Sequence, residues 1–175
     1  MITLREAGLS DRAGIDTLYR AAFPDDEGPA VAAVAARLAE EAGALATLSL
    51  VADADGQPVG HVAFSPVLAD DAPGWLGYLL APLAIHPGHQ RRQLGSRLVT
   101  AGIGHVSALG AAALLVYGDP GYYGRFGFRA ELATRYLPPH PLSQPAGWQA
   151  RLLTPASHPP LRLRCAAPLD DPALW

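Results

Sequence analysis

The sequence predicts an α/β fold: a mixed, twisted central sheet flanked by helices, in a single domain spanning residues 1–175. Three observations predict it. Segments with strand patterning stand both before and after segments with helical patterning. The middle of the chain, Leu79 to Tyr117, reads strand, loop, helix, strand, the unit that sets parallel neighbours in a sheet. Half the residues are hydrophobic and 17% are charged, which suits a chain that buries a core and does not suit a disordered one.

Each element follows from local pattern. Ile2 to Glu6 alternates apolar and polar residues, a short strand. Ser10 is a candidate N-cap for a helix that puts Ile15, Leu18, Tyr19 and Ala22 on one face. Pro24 to Pro29 is a turn-rich acidic loop. Pro29 opens a second helix carrying Val31, Val34, Ala35 and Leu38, with Gly43 as its stop. Leu48–Ala52 and Pro58–Val67 read as strands around the turn Asp53-Ala54-Asp55-Gly56. Trp75 to Ile85 is a longer strand, broken by His86-Pro87-Gly88. Leu94 to Leu109 is the clearest helix, with Leu94, Leu98, Val106 and Leu109 on one face and Gly110 at its end. Ala113 to Tyr117 is a buried strand, Tyr122 to Phe126 a short helix, and Gly127-Phe128 a return to strand. From about Leu137 the chain is proline-rich. Strands at Gly147–Leu153 and Leu161–Cys165 make this tail an edge hairpin or a wrap-around arm, a candidate pocket wall or homodimer contact. The tryptophans read as packing residues, with Trp175 a candidate for exposure.

Composition excludes several functions. The formal net charge is -3, and no basic run extends beyond Arg91-Arg92, so no nucleic-acid partner is expected. No apolar run approaches the ~20 residues needed to span a bilayer, and the first residues lack a signal-peptide pattern; a cytoplasmic protein with no membrane partner is expected. The lone Cys165 cannot form a disulfide within the chain and reads as a small buried hydrophobe. His86 and His89 have a metal-like spacing, but Pro87 forbids a regular helix between them and no further ligand completes the set, so no metal is expected.

One stretch carries chemistry. The strand ending Leu80-Ala81-Pro82-Leu83-Ala84-Ile85-His86-Pro87 feeds the loop Gln90-Arg91-Arg92-Gln93-Leu94-Gly95-Ser96, which opens the long helix. A helix start presents unpaired N–H groups and the positive end of the dipole, a site for a phosphate or pyrophosphate. Gly95 admits close backbone approach, Ser96 adds a hydroxyl, and Arg91 and Arg92 add charge. The loop lacks Gly-x-x-x-x-Gly-Lys-Ser/Thr, and the chain has no lysine, so a nucleoside-triphosphate loop is excluded.

This strand, loop and helix resemble the acyl-CoA motif of the GNAT acetyltransferase superfamily, Gln/Arg-x-x-Gly-x-Gly/Ala, with Gln90 and Gly95 on its first and last positions. Gly118-Asp119-Pro120-Gly121-Tyr122-Tyr123-Gly124-Arg125-Phe126-Gly127-Phe128 resembles the family's Tyr-x-x-x-Gly-Phe signature, and Leu4-Arg5-Glu6-Ala7 with Asp11, Ile15 and Leu18 resembles its first strand and helix. The strings as a whole are closest to a predicted-acetyltransferase branch. One position departs: Gln93 stands where the family usually has its first glycine, so either its side chain points away from the pyrophosphate or its backbone avoids positive φ.

The resemblance implies an N-acetyltransferase that moves an acetyl group from acetyl-CoA to a primary amine, of a small molecule or a protein, by direct attack in a ternary complex. It implies a cofactor groove between splayed central strands. The backbone of Leu83, Ala84 and Ile85 would pair with the pantetheine arm, and Arg91, Arg92, Gln93, Leu94, Gly95 and Ser96 would hold the pyrophosphate. Tyr123 falls on the position that protonates the leaving thiolate, with Tyr122 as the alternative. Glu27, Asp119 and His86 are candidate bases, Asp119 being equally a helix cap, and the acidic loop Asp25-Asp26-Glu27 is a candidate acceptor mouth. The rival reading is a non-catalytic acyl-CoA-binding sensor or interaction module, which Gln93 favours.

Overall fold

The computed structural model describes residues 1–41 and 45–175; the expected helix stop at Gly43 lies outside the described residues. The chain forms two compact units, residues 1–64 with 82–102, and residues 65–81 with 103–175. Strands β3 (Gln57–Ala69) and β4 (Gly77–Ile85) and helix α3 (Leu94–Ala108) run through both.

In the first unit, β1 (Ile2–Glu6), β2 (Leu48–Ala54) and the start of β3 form an antiparallel meander. The β2–β3 turn places Asp55 and Gly56 at φ of 52° and 86°, the left-handed pair that matches the twist of a two-residue hairpin. Helices α1 (Arg12–Ala22) and α2 (Glu27–Leu38) cover the meander through Ile15, Leu18, Tyr19, Ala32, Ala35, Val51 and Ala84. The amphipathic reading of α1 is met, because Ile15, Leu18 and Tyr19 are its buried residues.

Ser10 is not the cap of α1. It lies in a 3₁₀ turn, Leu9–Asp11, and α1 begins after Asp11. The carboxylate of Asp11 has the stronger claim on local donors. It accepts the Gly8 N–H at 2.7 Å and two bonds from the Arg5 guanidinium at 2.7 and 2.8 Å, and Arg5 also reaches Asp53 at 2.6 Å. Helix α2 begins at Glu27, two residues before Pro29, so Pro29 sits inside its first turn, where no N–H is needed. The buried face of α2 is Gly28, Ala32, Ala35 and Leu38, one step round from the expected valines.

In the second unit, the start of β4 pairs in parallel with β5 (Ala113–Tyr117), and β5 pairs antiparallel with β7 (Trp148–Leu152). β8 (Leu161–Arg164) pairs antiparallel with the end of β3 and in parallel with β6 (Tyr136–Leu137). The eight strands thus make the mixed sheet that the sequence predicts. In the proline-rich tail β7 and β8 do not form an edge hairpin with each other; β7 pairs with β5, and β8 pairs with β3 and β6. Gly127-Phe128 does not resume a strand; Gly127 is left-handed at φ 85°, and the next residue to pair is Arg129, in an isolated bridge to Ala150. Leu109 is exposed, because the helix has already ended at Ala108 and Gly110 turns away at φ 84°. Trp175 is buried, with its indole N–H donating to the Leu169 carbonyl at 2.9 Å and its ring 5.7 Å from Trp148.

Candidate active site

The parallel ladder of β4 covers Gly77–Leu79 opposite Ala113–Leu115. β4 continues to Ile85, and its residues Ala81, Pro82 and Leu83 are half-exposed. Pro82 has no N–H to give a ladder, which is a sequence signal that pairing would lapse here. In the first unit, Leu83, Ala84 and Ile85 lead directly into the loop. The Gln90 side-chain amide donates to the Ile85 carbonyl at 3.2 Å and ties that loop to the strand end.

The loop then curls sharply. Arg91 and Gln93 both take φ of 60°, a left-handed conformation that non-glycine residues rarely adopt. Gln93 thus does not avoid positive φ, which excludes the second of the two alternatives. The Gln93 carbonyl accepts the Arg97 N–H at 2.9 Å, closing the first turn of α3. The amides of Leu94, Gly95 and Ser96 therefore precede the first helical bond, where N–H groups have no partner within a helix. Leu94 and Gly95 are buried, Ser96 is half-buried, and Arg91, Arg92 and Gln93 are exposed. Alternation of left-handed residues just before a 15-residue helix makes a concave set of amides suited to an anion.

Tyr123 belongs to the second unit, at the end of the short helix α4 (Pro120–Tyr123), which runs on into a 3₁₀ turn to Phe126. Asp119 caps α4 by accepting the Gly121 N–H at 2.9 Å. The Tyr123 ring lies against Gly118, where an added Cβ would meet it at 2.6 Å. Burial, then the neighbouring Tyr122 and Asp119, push the Tyr123 phenol above its ordinary value.

The candidate bases separate. Glu27 stands on the first turn of α2 and is exposed, in the first unit. Nδ1 of His86 accepts the Gly88 N–H at 3.1 Å and caps the short 3₁₀ turn after β4. Cys165 is half-buried, and burial pushes its thiol up to about 11. Among the described residues no three His, Cys, Asp or Glu side chains cluster as metal ligands, and no helix is long and apolar enough to cross a membrane.

Two features escape sequence reasoning. His61 is buried on β3, its ring nitrogens 2.7 Å from the Tyr19 hydroxyl and 2.7 Å from the Ser49 hydroxyl. In the second unit a cavity of about 470 Å³ opens beside Tyr117, Gly118 and Asp119, walled by Ser143 and Gln144 from the tail. Nothing in periodicity marks either, because both depend on residues far apart in the chain.

A mixed α/β fold with a helix start suited to an anion after its central strand defines a class of phosphate-binding α/β proteins. The model of the acetyltransferase (GNAT) domain matches residues 46–130. The chain is 40% identical over 131 residues to the uncharacterized N-acetyltransferase YhbS of Escherichia coli K12, covering 72% of this chain and 71% of that protein. It belongs to the GNAT family of acetyltransferases. The uncharacterized N-acetyltransferase YjhQ of the same organism is 35% identical over 149 residues, covering 79% of this chain and 80% of that protein. Among solved structures, the GNAT family N-acetyltransferase YhbS of E. coli in complex with CoA matches with a TM-score of 0.82 at 28% identity, covering 97% of this chain and 92% of that one. A GNAT family acetyltransferase of Brucella melitensis in complex with acetyl-CoA matches with a TM-score of 0.72 at 32% identity, covering 97% and 99%.

Proposed function

We propose that this protein transfers an acetyl group from acetyl-CoA to a primary amine by direct attack in a ternary complex. The observation that carries the reading is the start of α3, where left-handed Arg91 and Gln93 lead into the amides of Leu94, Gly95 and Ser96, which come ahead of the first helical bond. Relatives solved with CoA and with acetyl-CoA support the choice of donor. On this reading the loop amides, with Arg91 and Arg92, hold the pyrophosphate, and the backbone of Leu83, Ala84 and Ile85 holds the pantetheine arm as an added strand would.

The amine lone pair attacks the thioester carbonyl carbon, a C–N bond forms, and the C–S bond breaks. Tyr123 gives its phenolic proton to the departing thiolate, and the amine proton passes to water or a carboxylate. The phenol is protonated at neutral pH, as an ordinary tyrosine is, and burial also makes its proton harder to give, so the step relies on the thiolate lying close to the phenol. In a thiol-release assay with acetyl-CoA and varied amines, Tyr123→Phe is expected to lose about 10²-fold in kcat while CoA affinity is kept. Unchanged kcat removes Tyr123 from the mechanism. Absence of thiol release with every amine tried, alongside intact CoA binding, favours the sensor reading, for which Gln93 is the supporting residue. That Gln93 takes the backbone conformation of a glycine weighs against it.

A further inference from the structure

The cavity beside Tyr117 has a definite chemical character. Its polar lining comes from the Tyr117 phenol, the Asp119 carboxylate, the Ser143 hydroxyl and the Gln144 amide, and no Arg, Lys or His lines it. The wall is built, not incidental. The Tyr117 oxygen is 3.0 Å from Ser143 Oγ and accepts the Gln144 backbone N–H at 2.8 Å. The Tyr117 ring stacks on Trp175 at 5.9 Å and 10°. Gly147 is fixed on both sides: its carbonyl accepts the Gly118 N–H at 3.0 Å, its own N–H donates to the Gln144 carbonyl at 2.9 Å, and an added Cβ there would meet the Gly118 carbonyl at 3.1 Å and the Tyr117 ring at 3.2 Å. Gly118 also carries the Tyr123 ring on its Cα, so the cavity and the Tyr123 phenol share one residue.

We propose that this cavity is the acceptor subsite, and that it selects small polar primary amines that carry no carboxylate. The proposal rests on the acetyl-transfer reading above. A volume of about 470 Å³ takes a small molecule and not a folded surface. Hydroxyl and amide groups satisfy a polar, hydroxylated or amidated body. Asp119 uses one oxygen, Oδ1, for its cap and leaves the other for an ammonium. A substrate carboxylate entering the same space meets Asp119 and finds no cation to pair with, so discrimination comes from repulsion as much as from attraction.

The test compares matched pairs that differ only by the carboxylate: ethanolamine with serine, cadaverine with lysine, tyramine with tyrosine. Thiol release from acetyl-CoA gives kcat/KM, and calorimetry on the CoA complex gives amine affinity without turnover. The expected result is at least a tenfold preference for the carboxylate-free member of each pair in both readouts. Asp119→Asn narrows that preference, and Ser143→Ala raises KM with kcat nearly unchanged. Equal use of both members, or a preference that Asp119→Asn leaves intact, overturns the subsite while acetyl transfer stands. Binding of carboxylate-free amines with no thiol release from any amine supports the subsite and overturns the transfer reading. No binding and no turnover with any amine overturns both.

Discussion

At Gln93 a side chain occupies a backbone conformation that glycine adopts freely. A left-handed non-glycine residue costs of order 1 kcal/mol, so Gln93→Gly is expected to raise the thermal midpoint by a few degrees, read by scanning fluorimetry with and without CoA. A lowered midpoint would mean that the glutamine side chain contributes a contact worth more than the strain. Tyr123 invites a second measurement. Burial raises its phenol, so kcat at saturating amine is expected to show no alkaline fall through the ordinary tyrosine range near pH ~10. A fall near that pH that vanishes in Tyr123→Phe would show a phenol in contact with water.

At the scale of elements, the two N-terminal helices meet through a glycine. A Cβ on Gly28 would stand 3.0 Å from the Arg20 Cα and 3.2 Å from the carbonyls of Tyr19 and Phe23, all backbone atoms of the α1 side that cannot rotate away. Gly28→Ala is therefore expected to destabilise by about 1–3 kcal/mol, measured by urea denaturation, whereas Ala at exposed Gly104, which faces open space, is expected to be neutral or stabilising. The elements themselves were legible wherever side-chain period and a stop signal agreed: α1 by its buried stripe, α3 by its length and Gly110, β5 residue for residue. Pairing was not legible in the tail. Leu161 to Arg164 alternates like any strand, and nothing local says that its partners are β3 and β6. Of the candidate site, the helix start after β4 was legible, because a helix start after a strand is a local motif. Tyr117 was not, since its partners Ser143 and Gln144 lie 26 and 27 residues on.

At the scale of the whole molecule, acid stability centres on His61. Burial lowers it to about 4, with the charge of Asp11 opposing, while an unfolded histidine titrates near ~6.5. The folded state therefore holds the neutral ring and the unfolded state binds the extra proton. Stability is fully present above pH ~6.5, declines as pH falls, and is down by roughly 3 kcal/mol once below about 4. Urea midpoints across that window should show the slope, and His61→Leu should flatten it at some cost from the Ser49 hydroxyl that loses its partner. A slope unchanged in His61→Leu would move the effect to the carboxylates, Asp11 first. The placement of the three tryptophans gives this experiment its probes. Trp75, Trp148 and Trp175 all belong to the second unit, whereas His61 belongs to the first. Indole emission thus reports on one half of the chain, and the acid titration perturbs the other. With β3, β4 and α3 continuous through both, emission and circular dichroism are expected to trace a single coincident transition, and an emission curve lagging behind the dichroism in acid would resolve two cooperative halves.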